Sequence, residues 1–245
     1  MEELATQAFW IGLAKIIGVN VVLSGDNAVV IALAARSLPT RQRKQAILWG
    51  AGAAVILRII LTIFAVKLLM LPWLKIVGGL LLFWIGIKLL VPEEDDPEIN
   101  ASEHLLTAIK TILIADLVMS LDNVIAVAAA AGGSLTLLIL GLAISIPLVV
   151  FGATLLVTLM DRFPIIITVG AGLIGWVAGE MLVTDPALAG WLTSAGIRFV
   201  ESKPYLGQLS LELVAGAIGV AVVVAWGLWL AKRQKAAARQ VEPGG

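Results

Sequence analysis

Apolar residues fill this chain in long blocks separated by short polar connections, without the strict alternation that a membrane barrel requires. In lipid a backbone amide finds no water, so unbroken apolar runs have to close their hydrogen bonds internally, as helices. The pattern predicts helices at about 8–34, 46–71, 73–91, 106–131, 135–159, 163–183 and 211–231. The expected fold is therefore all-α, a polytopic membrane bundle of seven transmembrane helices. An odd number of spans puts the termini on opposite sides. Arg36, Arg41, Arg43 and Lys44 crowd the first connection, and Lys232, Arg233, Lys235 and Arg239 follow the last span. Basic residues stay inside, which makes both segments cytoplasmic and sets the amino terminus outside.

The pattern repeats. Asn20-Val-Val-Leu-Ser24-Gly25-Asp26-Asn27 aligns without a gap on Asp116-Leu-Val-Met-Ser120-Leu121-Asp122-Asn123, and Pro72-Trp-Leu-Lys-Ile-Val-Gly78-Gly79 on Pro164-Ile-Ile-Ile-Thr-Val-Gly170-Ala171. The first three helices thus match the next three. A unit of three spans repeated in tandem inserts its second copy upside down, the inverted-repeat plan of many secondary transporters, with substrate near the midplane. The domains expected are 1–91, the first three-helix repeat; 92–105, an acidic cytoplasmic linker; and 106–183, the second and inverted repeat. An extracytoplasmic loop at 184–210 and a seventh helix with a basic cytoplasmic tail at 211–245 complete the chain.

What breaks the apolar pattern is acid at membrane depth. A carboxylate there costs at least about 2.5 kcal/mol even on insertion scales, so Asp26 and Asp122 in matching positions ask for a partner. A bound cation is the simplest. Asn20, Ser24 and Asn27, and likewise Asp116, Ser120 and Asn123, recur at i, i+4 and i+7 and so share one helix face. Asp26 and Asp122 lie off that stripe by about a third of a turn. An unwound segment brings them round: Gly25 favours a break in the first copy, and Leu121 a milder distortion in the second. The bland account of the hydroxyls and amides is polar glue between helices. In antiparallel helices, residues at equal depth have numbers summing to roughly 140, which sets Asp26 opposite Asp116 and Asn20 opposite Asp122.

Composition narrows the ion. The chain is 60% apolar and 14% charged, with one His and no Cys, and its mean hydropathy is +1.02. Thiolate sites and disulfides are excluded. Carboxylate, amide and hydroxyl oxygens are hard donors suited to manganese, calcium or magnesium rather than to zinc or copper. Formal charge is zero, so nothing points to nucleic acid. Met1-Glu2-Glu3 lacks the basic start of a signal peptide, and the first apolar run is expected to stay as a helix. Arg58 stands in mid-helix with no counterpart in the second repeat; its readings are a counter-charge to the acidic site or a structural ion pair. Glu180 is read either as part of the ion path or as facing the interface. Lys15 and Lys88 lie close enough to helix ends to snorkel. No nucleophile–base pair or His-rich motif is present, and no enzyme is expected.

The paired Ser-Gly-Asp-Asn and Ser-Leu-Asp-Asn segments, with Gly78-Gly79 and the Gly170-Ala171-Gly172 run, resemble the TerC family of integral membrane proteins, in particular its short YjbE-like members. The resemblance covers about residues 8–231. Members look like manganese exporters, were named for tellurium resistance and are grouped with the LysE superfamily of exporters. What the resemblance implies falls first on Asp26 and Asp122, then on Asn20, Asn27, Asp116 and Asn123, with Ser24 and Ser120 completing the oxygen donors. It implies a bacterial inner (cytoplasmic) membrane protein without the soluble regulatory domains of longer relatives. Mn²⁺ is then expected as transported substrate rather than as a tightly bound cofactor, with Ca²⁺ allowed by the same hard donors; carboxylates that release a divalent ion can take up protons in its place, which makes proton antiport an expected coupling. The alternatives are a membrane partner that delivers metal to secreted proteins through the 184–210 loop, and an exporter of another solute such as an amino acid.

Overall fold

The computed structural model describes residues 7–69, 71–91, 101–132, 134–200 and 203–241. The acids of the expected linker, Glu93, Glu94, Asp95, Asp96 and Glu98, lie outside them. The described elements are α1 (Gln7–Leu23), α2 (Gly25–Ala35), α3 (Thr40–Leu69), α4 (Leu74–Leu90), α5 (Ala101–Ala131), α6 (Leu135–Arg162), α7 (Ile165–Val183), α8 (Pro186–Ser194), β1 (Arg198–Val200), β2 (Lys203–Leu206), β3 (Leu209–Ser210) and α9 (Leu211–Val241). The chain is a polytopic, mostly helical membrane protein. Among the described residues five helices are long and apolar enough to cross a membrane, and the α1–α2 pair, bent by 51° at the break around Ser24, makes a sixth if it is one span. Against the seven spans expected, α4 falls short: its 17 residues reach about 25 Å, less than the hydrocarbon thickness of about 30 Å.

The chain divides into two compact units. The first comprises residues 1–74 and 99–162 and so contains α1, α2, α3, α5 and α6. Its core joins Ile16 of α1, Val55 of α3, Val127 and Ala131 of α5, and Leu138 and Leu142 of α6. Two glycines let these helices approach. A Cβ on Gly141 would come within 2.4 Å of Ile16, and one on Gly50 within 2.8 Å of Ile112. At the end of this unit Arg43 of α3 donates to the carbonyls of Arg36 (2.6 Å) and Leu38 (3.3 Å) and to Asp161 of α6 (2.7 Å). The Arg43 side chain thereby takes up carbonyls just past α2 that no further helical turn can bond.

The second unit, residues 75–98 and 163–245, contains α4, α7, α8, the strands and α9. Lipid tails are as apolar as leucine, so helices here gain little by hiding from lipid and more by close packing of small residues. Gly175 and Gly179 of α7 meet Ala215 and Gly219 of α9 backbone to backbone: a Cβ on Gly179 would lie 2.1 Å from the Ala215 carbonyl oxygen, and one on Gly219 2.0 Å from that of Gly175.

Where a loop was expected at 184–210, the structure has α8 and a three-stranded antiparallel sheet, a departure from the purely helical expectation. Its second hairpin turns on Gly207 and Gln208 between the paired Leu206 and Leu209, with Gly207 at φ 65° supplying the positive φ that such a tight turn demands. Lys203 of β2 reaches Glu212 in the first turn of α9 at 3.3 Å, and that carboxylate holds the Lys203 ammonium pKa above its usual value. Asp185 is buried, and its carboxylate accepts from Ala187 N–H (2.7 Å) and from the N–H groups of Lys75 (3.0 Å) and Ile76 (3.1 Å). One side chain thus caps α8 and the first turn of α4.

Two substitutions test these contacts. Gly219→Leu forces α7 and α9 apart and is expected to cost about 1–3 kcal/mol, read as a lowered unfolding midpoint of the detergent-solubilised protein; Gly190→Ala, inside α8 and facing open space, should not lower it and by helix propensity should add about 0.5–1 kcal/mol. Asp185→Ala strips three amides of their acceptor and is expected to cost about 2 kcal/mol; unchanged stability would show that water replaces the cap.

Candidate functional site

The break between α1 and α2 creates the problem that the site residues solve. Interrupting a helix in a bilayer strands carbonyls at one end and amides at the other. Ser24 occupies the N-cap position of α2 with φ −107° and ψ 5°, yet its side chain makes no capping bond. The neighbouring motif residues take over. Asp26 Oδ1 accepts the Asn27 N–H at 2.8 Å, in the first turn where the helix dipole favours an anion. Asn123 Nδ2 of α5 donates to the Leu23 carbonyl at 3.2 Å, closing the end of α1. α5 itself runs unbroken through Leu121 and Asp122, so the distortion expected of the second copy is absent. Leucine there, unlike Gly25, leaves the helix intact.

Released from capping, the Ser24 hydroxyl turns to a buried cluster. Arg58, in the middle of α3 and 4% exposed, enters it with four donated bonds. Nη1 donates to Asn20 Oδ1 (2.6 Å) and to Ser24 Oγ (3.0 Å), Nε to Ser120 Oγ (3.0 Å), and Nη2 to Asp116 Oδ1. Ser24 Oγ also donates to Asn20 Oδ1 (3.3 Å), and Ser120 Oγ to Asp116 Oδ2 (3.2 Å). The Arg58 carbonyl accepts from Thr62 Oγ1 at 2.7 Å. A desolvated ion pair holds only when the remaining donors and acceptors are also satisfied. Here the guanidinium fork spans acceptors on two facing helices, which a lysine ammonium cannot do in the same way.

The structure therefore brings Asn20, Ser24, Asp116 and Ser120 together around Arg58, which makes a buried ion pair with Asp116. Asn20 meets Asp116 through the guanidinium, whereas equal depth in ideal helices had set Asn20 opposite Asp122. Asp26 is half-buried and within electrostatic range of Arg58 and Asp116. The Asp122 side chain lies outside the described residues. Asn27 is 2% exposed with neither Oδ1 nor Nδ2 bonded, and Asn20 Nδ2 is likewise unbonded. Such orphaned polar atoms each cost about 1–3 kcal/mol. Among the described residues no three Asp, Glu, His or Cys side chains gather as a metal site; the cluster offers amide and hydroxyl oxygens beside the Asp116 carboxylate. Glu180 belongs to the other unit, where it accepts from Trp176 Nε1 at 2.6 Å. Asp185 escaped the sequence reading although the Asp185-Pro186 pair marks a helix start.

The model of the family described as "Integral membrane protein TerC family" matches residues 5–235. The membrane protein YjbE of Bacillus subtilis (strain 168), named as uncharacterized, is 44% identical over 188 residues, covering 77% of this chain and 86% of the relative. YceF and YkoY of the same organism, also named as uncharacterized membrane proteins, are each 27% identical. YceF is matched over 74% of both chains, and YkoY over 70% of this chain and 59% of its own. No solved structure matches.

Removing one member of the buried pair should be far worse than removing both. Asp116→Ala leaves the guanidinium unpaired and is expected to cost about 3–5 kcal/mol, whereas Arg58→Met combined with Asp116→Leu should recover most of that loss. Reversible unfolding of the three proteins in detergent or bicelles measures the difference; equal stability of Asp116→Ala and the parent would mean that water reaches the cluster.

Proposed function

This chain belongs to the integral membrane protein TerC family, and from that premise we propose that it transports divalent metal ions, Mn²⁺ foremost, outward across the bacterial cytoplasmic membrane. The observation that carries the reading is the buried set of oxygen donors on α1 and α5, drawn from the two matching sequence segments and enclosed in an otherwise apolar unit. A protein that needed only stability would gain by replacing such a cluster with leucine and methionine. Its donors are hard oxygens, which favour Mn²⁺ or Ca²⁺ over zinc. The unpaired amides of Asn20 and Asn27 add polar atoms that no protein group uses.

In this reading Asp26, Asp116 and Asp122 supply the charge, and Asn20, Asn27, Asn123, Ser24 and Ser120 supply neutral oxygens. The bend at Ser24 is the movable part: a discontinuous helix can change its angle without breaking hydrogen bonds along its whole length. In the proposal α4 counts as a short seventh span, which a locally thinned bilayer accommodates, so that access alternates between two inverted repeats with the amino terminus outside and the carboxyl terminus inside. Protons exchanging on the released carboxylates provide the coupling. No covalent step is involved.

A second reading has its own observation. α8 and the small sheet carry Trp191, Val200, Leu206 and Leu209, each more than half exposed, a surface on which a secreted protein receiving metal can dock.

Flux of Mn²⁺ into or out of proteoliposomes containing a pH dye tests the proposal. Parent protein should move metal with opposing proton movement, and Asp26→Asn and Asp122→Asn should each lower the rate at least about tenfold, as loss of a charged ligand does. Metal binding without flux would favour the delivery role, and unimpaired flux in both variants would remove these carboxylates from the path.

A further inference from the structure

We propose that Arg58 is a tethered counter-cation that the transported ion has to displace, so that the guanidinium sets the minimum charge a cargo must carry. The inference rests on the transport reading above and concerns the same cluster. Arg58 bonds the oxygens of Asn20, Ser24, Asp116 and Ser120 at once, half of the eight side chains assigned to the ion. A metal cation cannot take those oxygens while the guanidinium holds them, because two positive groups at contact distance in a medium of low dielectric repel strongly. The two occupants are therefore mutually exclusive.

Exchange between them selects by charge. A monovalent ion entering the cluster replaces one positive charge with another and forfeits the four directed bonds of the guanidinium. A divalent ion brings an additional charge toward Asp116 and the nearby Asp26, which offsets that loss. Displacement is also mechanically simple. All four acceptors belong to other segments, Asn20 and Ser24 on one side and Asp116 and Ser120 on the other, so Arg58 can leave by rotating its side chain while α3 keeps its backbone. The guanidinium moreover satisfies only part of the cluster. The side-chain amide of Asn27 and the amide nitrogen of Asn20 are buried with no hydrogen bond from a protein group.

The test is Mn²⁺ titration of the full-length protein in detergent, with and without excess K⁺, on the parent, Arg58→Lys and Arg58→Gln. If the guanidinium yields its place only about a tenth of the time, the Arg58→Gln variant should bind Mn²⁺ about tenfold more tightly than the parent. K⁺ should then compete with Mn²⁺ in Arg58→Gln but not in the parent. Arg58→Lys, which keeps the charge but cannot span the four acceptors, should bind more tightly than the parent while K⁺ still fails to compete; it decides the matter if Arg58→Gln does not fold. Weaker or unchanged Mn²⁺ binding by a monodisperse variant would overturn the proposal and leave Arg58 as a structural tie. A parent protein that neither binds nor carries Mn²⁺ would overturn the transport reading itself, and this inference with it.

Discussion

A guanidinium in the middle of a membrane helix has to find an anion and enough further acceptors to replace water, and the first unit is organised by that requirement. Arg58 cannot reach the acceptors it needs on α3, so α1 and α5 have to present theirs on the faces that meet it. The packing that results is specific rather than strong: a buried ion pair returns little net stability, but leaving it half-made is costly. Apolar contacts among Ile16, Val55, Val127 and Leu142 supply the cohesion of this unit. The polar cluster supplies its register.

The helix break belongs to the same arrangement. Ser24 would ordinarily cap α2, but its hydroxyl is engaged with Asn20 and Arg58. The duties it leaves fall to Asp26 and to Asn123 from the facing helix. The Asp-Asn motif thus holds a broken helix together.

The second unit uses different physics. There α7 and α9 meet through glycine and alanine with their backbones in contact. Small side chains gain dispersion contacts over the whole crossing without competing with lipid for burial. Asp185 adds the polar part, one carboxylate closing the starts of α4 and α8.

The sequence by itself determined the class of protein and the chemistry of the candidate site. Hydrophobic blocks of bilayer length without a barrel's alternation dictate helices, which close every backbone hydrogen bond within the segment. The two aligned Asp-Asn segments, rare at such depth, mark Asn20, Ser24, Asp116 and Ser120 by helical spacing alone, and Gly25 foretells the break at Ser24. The tertiary structure decided what spacing cannot reach. Arg58 stands 38 positions from Asn20 and 58 from Asp116, and no local rule says that a lone arginine will lie between them rather than snorkel. The ordered α8 and sheet were likewise hidden, because strands of two to four residues are shorter than any periodicity. Asp185 carried a local signal in Asp185-Pro186 for α8, but its hold on α4 spans 110 positions. Depth and face are local properties of a helix; which polar groups meet is settled only when the helices pack.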